Sequence, residues 1–79
     1  MTDEIRQRAN QLHAQIEDTD AMEKIIANMM GCPDSTVTIE CTDIGSVKMK
    51  VDDIFSALNY VHDVLRERKE ALEDEYRML

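Results

Sequence analysis

Cys32, Cys41, His13 and His62 are the side chains of this sequence best suited to metal binding or nucleophilic chemistry, and their spacing defeats both. Eight residues separate the cysteines, which matches no tight zinc-ligand spacing, and the histidines fall in different expected helices. No glycine-rich phosphate loop, nucleophile elbow or Ser/His/Asp set is present. With two Gly and two His in the whole chain, catalysis has little material. Asp52 and Asp53 read as helix caps before paired catalytic carboxylates. Cys41 reads as a small apolar residue of a strand, and Cys32 as a plain exposed thiol after a helix stop. The expectation is a protein that is not an enzyme, with no catalytic residues, no metal ligands and no cofactor.

Binding chemistry is better provided for. Thr36, Thr38, Lys48 and Lys50 gather hydroxyl and ammonium donors in one short stretch of an otherwise acidic chain, and they are the candidate residues for a small anionic ligand such as a nucleotide. Elsewhere acid dominates: Glu17, Asp18 and Asp20 interrupt the first helix, and Glu67, Glu70, Glu73, Asp74 and Glu75 crowd the second. Such runs are ordinary solvated helix faces, and as a binding surface they would engage a protein partner with a basic surface or imitate the charge of nucleic acid. The net charge of −8 repels phosphate backbones and anionic lipid, so direct binding of a nucleic-acid duplex is not expected. No apolar run approaches the roughly 20 residues of a membrane span. The first eight residues are polar and mixed in charge, unlike a signal peptide, and two cysteines are too few for a secreted disulfide framework. A cytoplasmic location is the default expectation.

Three elements must position these groups. In the first, Ile5, Ala9, Leu12 and Ile16, then Met22, Ile25, Ile26, Met29 and Met30, recur at helical steps. One helix over residues 2–30 is expected, with an imperfection at 17–20 where Asp20 and Glu23 form a possible capping pair. Gly31 is expected to take a left-handed C-terminal position, and Pro33 cannot continue a helix. Over residues 36–51 the period changes to two. Val37, Ile39 and Cys41, then Val47, Met49 and Val51, form a dry face, while the threonines, Glu40, Ser46 and the lysines form a wet one. A three-residue loop, Asp43-Ile44-Gly45, sets Thr42 opposite Ser46, Glu40 opposite Lys48, Thr38 opposite Lys50, Cys41 opposite Val47, Ile39 opposite Met49 and Val37 opposite Val51. Asp52 or Asp53 then caps a second helix over residues 53–78. Along it Leu58, Leu65, Leu72 and Leu79 repeat every seven residues, with Phe55, His62, Lys69 and Tyr76 at the alternate seam positions.

The expected fold class is α+β, mostly helical: two long antiparallel helices flanking a β-hairpin in one domain spanning residues 1–79. Helices of this length run about 40 Å, whereas a globule of this chain length measures about 30 Å, so a rod is expected. A two-stranded ribbon is marginal alone, and two helices leave a side uncovered. The chain is therefore expected to form a homo-oligomer, a dimer or higher, as a helical bundle. The interface is expected along Phe55, Leu58, His62, Leu65, Leu72, Tyr76 and Leu79.

The order of helix (Ile5 to Met30), hairpin (Val37 to Val51) and heptad helix (Ile54 to Leu79) resembles the short accessory proteins of bacteriophages and mobile elements. These include oligomeric inhibitors of host defence, some of which sequester nucleotide signals. The resemblance implies a phage-encoded inhibitor, acting in the host cytoplasm, that sequesters a host-defence protein or a nucleotide signal. The layout is also similar to prefoldin-type chaperone subunits, whose coiled-coil helices flank hairpins, although those helices are much longer. That likeness implies a structural or chaperone-like role as the alternative.

Overall fold

The Thr2 hydroxyl accepts a hydrogen bond from the Ile5 amide at 3.2 Å and so caps the first helix, giving a partner to one of the amides that a helix start leaves free. In the computed structural model, which describes residues 2–79, this helix is α1 (Asp3–Met30). It runs unbroken through the acidic interruption. Counted in heptads from Ile5, the seam passes through Ala9, Leu12, Ile16, Thr19, Glu23, Ile26 and Met30, each of them buried or half-buried, with Arg8, Asp20 and Met29 half-buried beside it. Thr19 is buried, and its hydroxyl donates to the Gln15 carbonyl at 2.7 Å, which satisfies the polar group inside the helix itself. Met22 and Ile25 lie off the seam and are exposed.

Gly31 ends α1, but in the right-handed region at φ −79°, not the left-handed one expected. Its amide bonds to the Asn28 carbonyl at 3.2 Å, a tightened last turn that any residue could adopt. Strands β1 (Thr36–Cys41) and β2 (Gly45–Lys50) form an antiparallel hairpin. The Ile44 amide bonds to the Cys41 carbonyl at 3.1 Å, so the turn closes over Thr42–Ile44, one residue earlier than the sequence suggested. Gly45 opens β2 at φ +139°, a conformation that favours glycine.

The pairing shifts accordingly by two residues: Thr36 faces Lys50, Val37 Met49, Thr38 Lys48, Ile39 Val47, Glu40 Ser46, and Cys41 Gly45. A shift of two preserves which face each side chain occupies, so the alternation was read correctly while the partners were not. Val51 leaves the ladder altogether. It begins a 3-10 turn, η1 (Val51–Ile54), in which it is 1% exposed, and its amide bonds to the Ser35 carbonyl at 2.9 Å. With the Asp52 amide on the Pro33 carbonyl, this ties the hairpin base to the end of α1. Helix α2 (Phe55–Arg77) follows. Neither Asp52 nor Asp53 caps it through a side chain, because the 3-10 turn carries the chain into the helix and puts both acids in its own first turn.

The helices are antiparallel. Arg8 reaches Glu75 at 2.7 Å near one end, and Glu23 meets His62 nearer the hairpin. The fold is thus α+β and mostly helical, with a two-stranded hairpin between its helices. Its extents of 50 × 28 × 14 Å describe a single layer: helix beside helix, with the hairpin beyond. Most domains bury their apolar faces between two layers. Here only Leu12, Val51, Leu58 and Leu65 form the buried apolar core of the described residues. The dry face expected on the hairpin is not dry in one chain. Ile39 is 50% and Val47 54% exposed, since the helices lie side by side and neither passes under the ribbon.

Candidate functional site

The observed register brings Thr36, Thr38, Lys48 and Lys50 together more closely than the expected one. Each lysine stands directly opposite a threonine, and alternate residues share a face, so the four make a two-by-two patch on the hairpin's polar side. Glu40, once matched to Lys48, instead faces Ser46. Like Arg6 and Arg68, neither Lys48 nor Lys50 lies within ion-pair reach of a carboxylate among the described residues, whereas Arg8, Lys24, Arg66, Lys69 and Arg77 all do. All four patch residues are exposed. The arrangement offers two free ammonium groups and two hydroxyls to an anion.

The expected interface residues divide into two groups. Leu58 and Leu65 are buried by α1 of the same chain, and His62 and Leu72 are half-buried in the same seam. Phe55, Tyr76 and Leu79 remain open, at 43%, 45% and 48% exposure. The leucine repeat therefore closes the molecule on itself over its central part, and only its ends face outward.

Inside that seam sits a polar layer in which His62 and Lys69, the polar seam positions of the sequence, meet two acids of α1 that the apolar pattern hid. The Lys69 ammonium lies 3.0 Å from Asp20 Oδ1 and 2.9 Å from Glu23 Oε2, and His62 Nε2 lies 3.6 Å from Glu23 Oε1. The Glu23 contact is short but lies outside hydrogen-bonding angles, so the buried Oε2 is held by charge without a hydrogen bond among the described residues. Hydrogen bonds to Lys24 and then Lys69 hold the Asp20 carboxyl below its ordinary value, and Glu23 followed by Asp20 raises Lys69 above its own. Counting heptads onward from Leu12 and Ile16 would have found this layer, because the count lands on Thr19 and Glu23. Reading Glu23 as a capping partner concealed it.

A second feature was also missed. Ile25, Met29, Cys32, Val37 and Val51 line an open groove of about 310 Å³ where α1 meets the hairpin base. Ile39, Cys41, Ile44 and Val47 line another of about 320 Å³ at the hairpin tip. No residue lining either groove is charged. The signal lay in the spacing of Met22, Ile25 and Met29, a stripe parallel to the seam and distinct from it.

No family model, curated protein or solved structure matches the chain. Among the described residues no group of three or more His, Cys, Asp or Glu side chains is placed to hold a metal ion, and no helix is long and apolar enough to cross a membrane.

Proposed function

We propose that this chain is a non-enzymatic binding protein that works as a homo-oligomer and sequesters a small anionic ligand of the nucleotide class. This is the role that the likeness to small phage inhibitors of host defence implies. The observation that carries it is the patch of Thr36, Thr38, Lys48 and Lys50, whose two lysines have no carboxylate within ion-pair reach among the described residues of a chain of net charge −8. A free lysine amid so much acid has its attraction for anions undiminished by a local partner, while the surrounding field discourages long polyanions. A compact phosphate ester suits that combination better than a duplex does. The patch is exposed, so binding should weaken as salt rises.

The test is a thermal-shift and calorimetric panel of inorganic phosphate and of linear and cyclic nucleotides, run on the native chain and on Lys48→Glu/Lys50→Glu. A nucleotide that raises the melting temperature of the native chain and not of the variant supports the reading. A flat panel, with a basic protein captured instead from bacterial lysate, overturns the small-ligand reading and assigns the acidic helix faces as the binding surface.

A further inference from the structure

We infer that the uncharged apolar track from Ile25 and Met29, past Val37, to Ile39 and Val47 is the surface on which a second copy of this chain docks. The inference rests on the reading that copies associate, and it names the face they use. The track is continuous. Val37 lines the groove at the hairpin base, Ile39 follows on the same face two residues later, and Ile39 with its partner Val47 lines the groove at the tip.

Area is the first reason. The chain exposes 6115 Å². A monomeric globular protein of 9.1 kDa exposes about 4,900 Å² by the usual scaling of area with mass, an excess here of about 1,200 Å². Covered in both copies, that excess makes an interface of about 2,400 Å², within the range of obligate homodimers.

Charge is the second. Across a two-fold axis the same patch meets itself, so a charged face would set like against like. A third of the residues of this chain are charged and its net charge is −8, yet the track carries no charge at all. The groove on the far half of the helices, by contrast, includes Asp18 and Arg68.

Timing is the third. A core of four apolar side chains leaves the fold dependent on its cover from the start, and a further copy of itself is the one partner present wherever the chain is made. The open ends of the leucine seam, Phe55 and Tyr76, flank acidic helix surface and are poorer candidates.

The experiment is sedimentation velocity with light scattering over a wide concentration range, on the native chain, on Ile39→Lys/Val47→Lys and on Phe55→Lys/Tyr76→Lys. The native chain and the seam-end variant should sediment as paired copies. The track variant, which would bury four ammonium groups in the pair, should dissociate with its affinity weakened by at least on the order of 100-fold. Should that variant fail to fold, a second measurement decides: in a Cys32→Ser background, maleimide labelling of Cys41, exposed in the single chain, should slow as concentration rises.

Pairing that survives in the track variant, or Cys41 labelling that ignores concentration, overturns this interface while leaving self-association standing. A folded, solitary native chain at every concentration overturns both. A chain that stays solitary until an aggregating client is added, and then binds it through Ile39 and Val47, assigns the track to clients and overturns the inference.

Discussion

The helical stem and the β-hairpin solve the same problem in opposite ways. In the stem, polar groups that fall on the buried seam find partners within the chain: Thr19 bonds to its own helix, and Lys69 bridges Asp20 and Glu23 across to the other. The ion pairs match particular turns of α2 to particular turns of α1, and so favour one register over its neighbours. Pairing within a half-buried seam recovers charge attraction only after both groups are desolvated, so the effect of these contacts is on alignment more than on stability. In the hairpin nothing of the sort occurs. Its strands pair with each other, its apolar face looks into solvent, and it is tied to the helices at its base, by the buried Val51 and the amides of Val51 and Asp52. This chain covers the seam of its stem internally and leaves the apolar face of its hairpin open.

The most forceful way to break the contrast is Leu12→Ala. Leu12 is fully buried, and such a truncation costs about 2–5 kcal/mol, a large share of the stability of any small domain. If the stem supports the whole molecule, helical circular dichroism and the hairpin should be lost together in one transition. A hairpin that stays ordered, seen by amide exchange at Ile39 or Val47, would show that it stands on its own.

Gly45→Ala acts on the other side of the comparison. At φ +139° an added Cβ meets no atom within 4 Å, so the penalty is backbone strain alone, about 1–3 kcal/mol. The strain falls at the hairpin turn. Far-ultraviolet circular dichroism should keep its helical signal, while pairing of copies through Ile39 and Val47 should weaken. Equal loss of helix and association would mean the two regions fold as one.

How much of this was legible in the sequence follows the same division. Both helices and both strands were readable because their period is written in consecutive apolar residues: Leu58 to Leu79 for one, Val37 to Cys41 for another. The face on which each hairpin residue lies was readable too, since alternation fixes it whatever the register. The register itself was not. It depends on whether the turn closes at Cys41–Ile44 or one residue later, and both choices keep the same residues dry. That Thr36, Thr38, Lys48 and Lys50 share one face was legible from the alternation, while their direct pairing came only from the ladder. The caps failed at Asp52 and Asp53 for a local reason: a 3-10 turn intervened, and a single turn leaves no periodic trace. The polar layer at Glu23 escaped because hydrophobic spacing was followed in preference to strict heptad count.

Thr2→Ala is a milder probe of the stem. It removes the one side-chain cap of α1, worth about 1 kcal/mol, at the end of the rod remote from the hairpin. The melting temperature should fall by a few degrees while association through the hairpin is unchanged. A shift in association would tie the far end of the rod to the interface.

The gentlest test uses acid and base on the stem's polar layer. Asp20 titrates below its ordinary value of 3.8 in the folded chain because Lys24 and Lys69 hold its charged form. The unfolded chain therefore takes up this proton first as pH falls, and stability from the contact is present above 3.8 and lost as pH drops through the lower, folded value. Lys69 behaves in the reverse sense. Glu23 and Asp20 raise it above 10.5, so its contribution is complete below 10.5 and lost as pH climbs through the higher, folded value. Between those limits the pair should be insensitive to pH, and Asp20→Asn should flatten the acid limb of the stability curve. Removing Lys69 alone strands Glu23 with a half-buried charge and should destabilise at neutral pH. Glu23→Leu with Lys69→Leu removes both charges together and should restore stability, because an apolar pair of similar size avoids the cost of desolvating them. The price of that repair is register: without the charged layer, α2 is held beside Arg8 only by the exposed Glu75 pair and the hairpin base, and cross-linking between positions 8 and 75 should become heterogeneous. A double variant that stays stable and keeps a single cross-link would show that the leucines alone set the alignment, and that the stem is more like the hairpin than its ion pairs suggest.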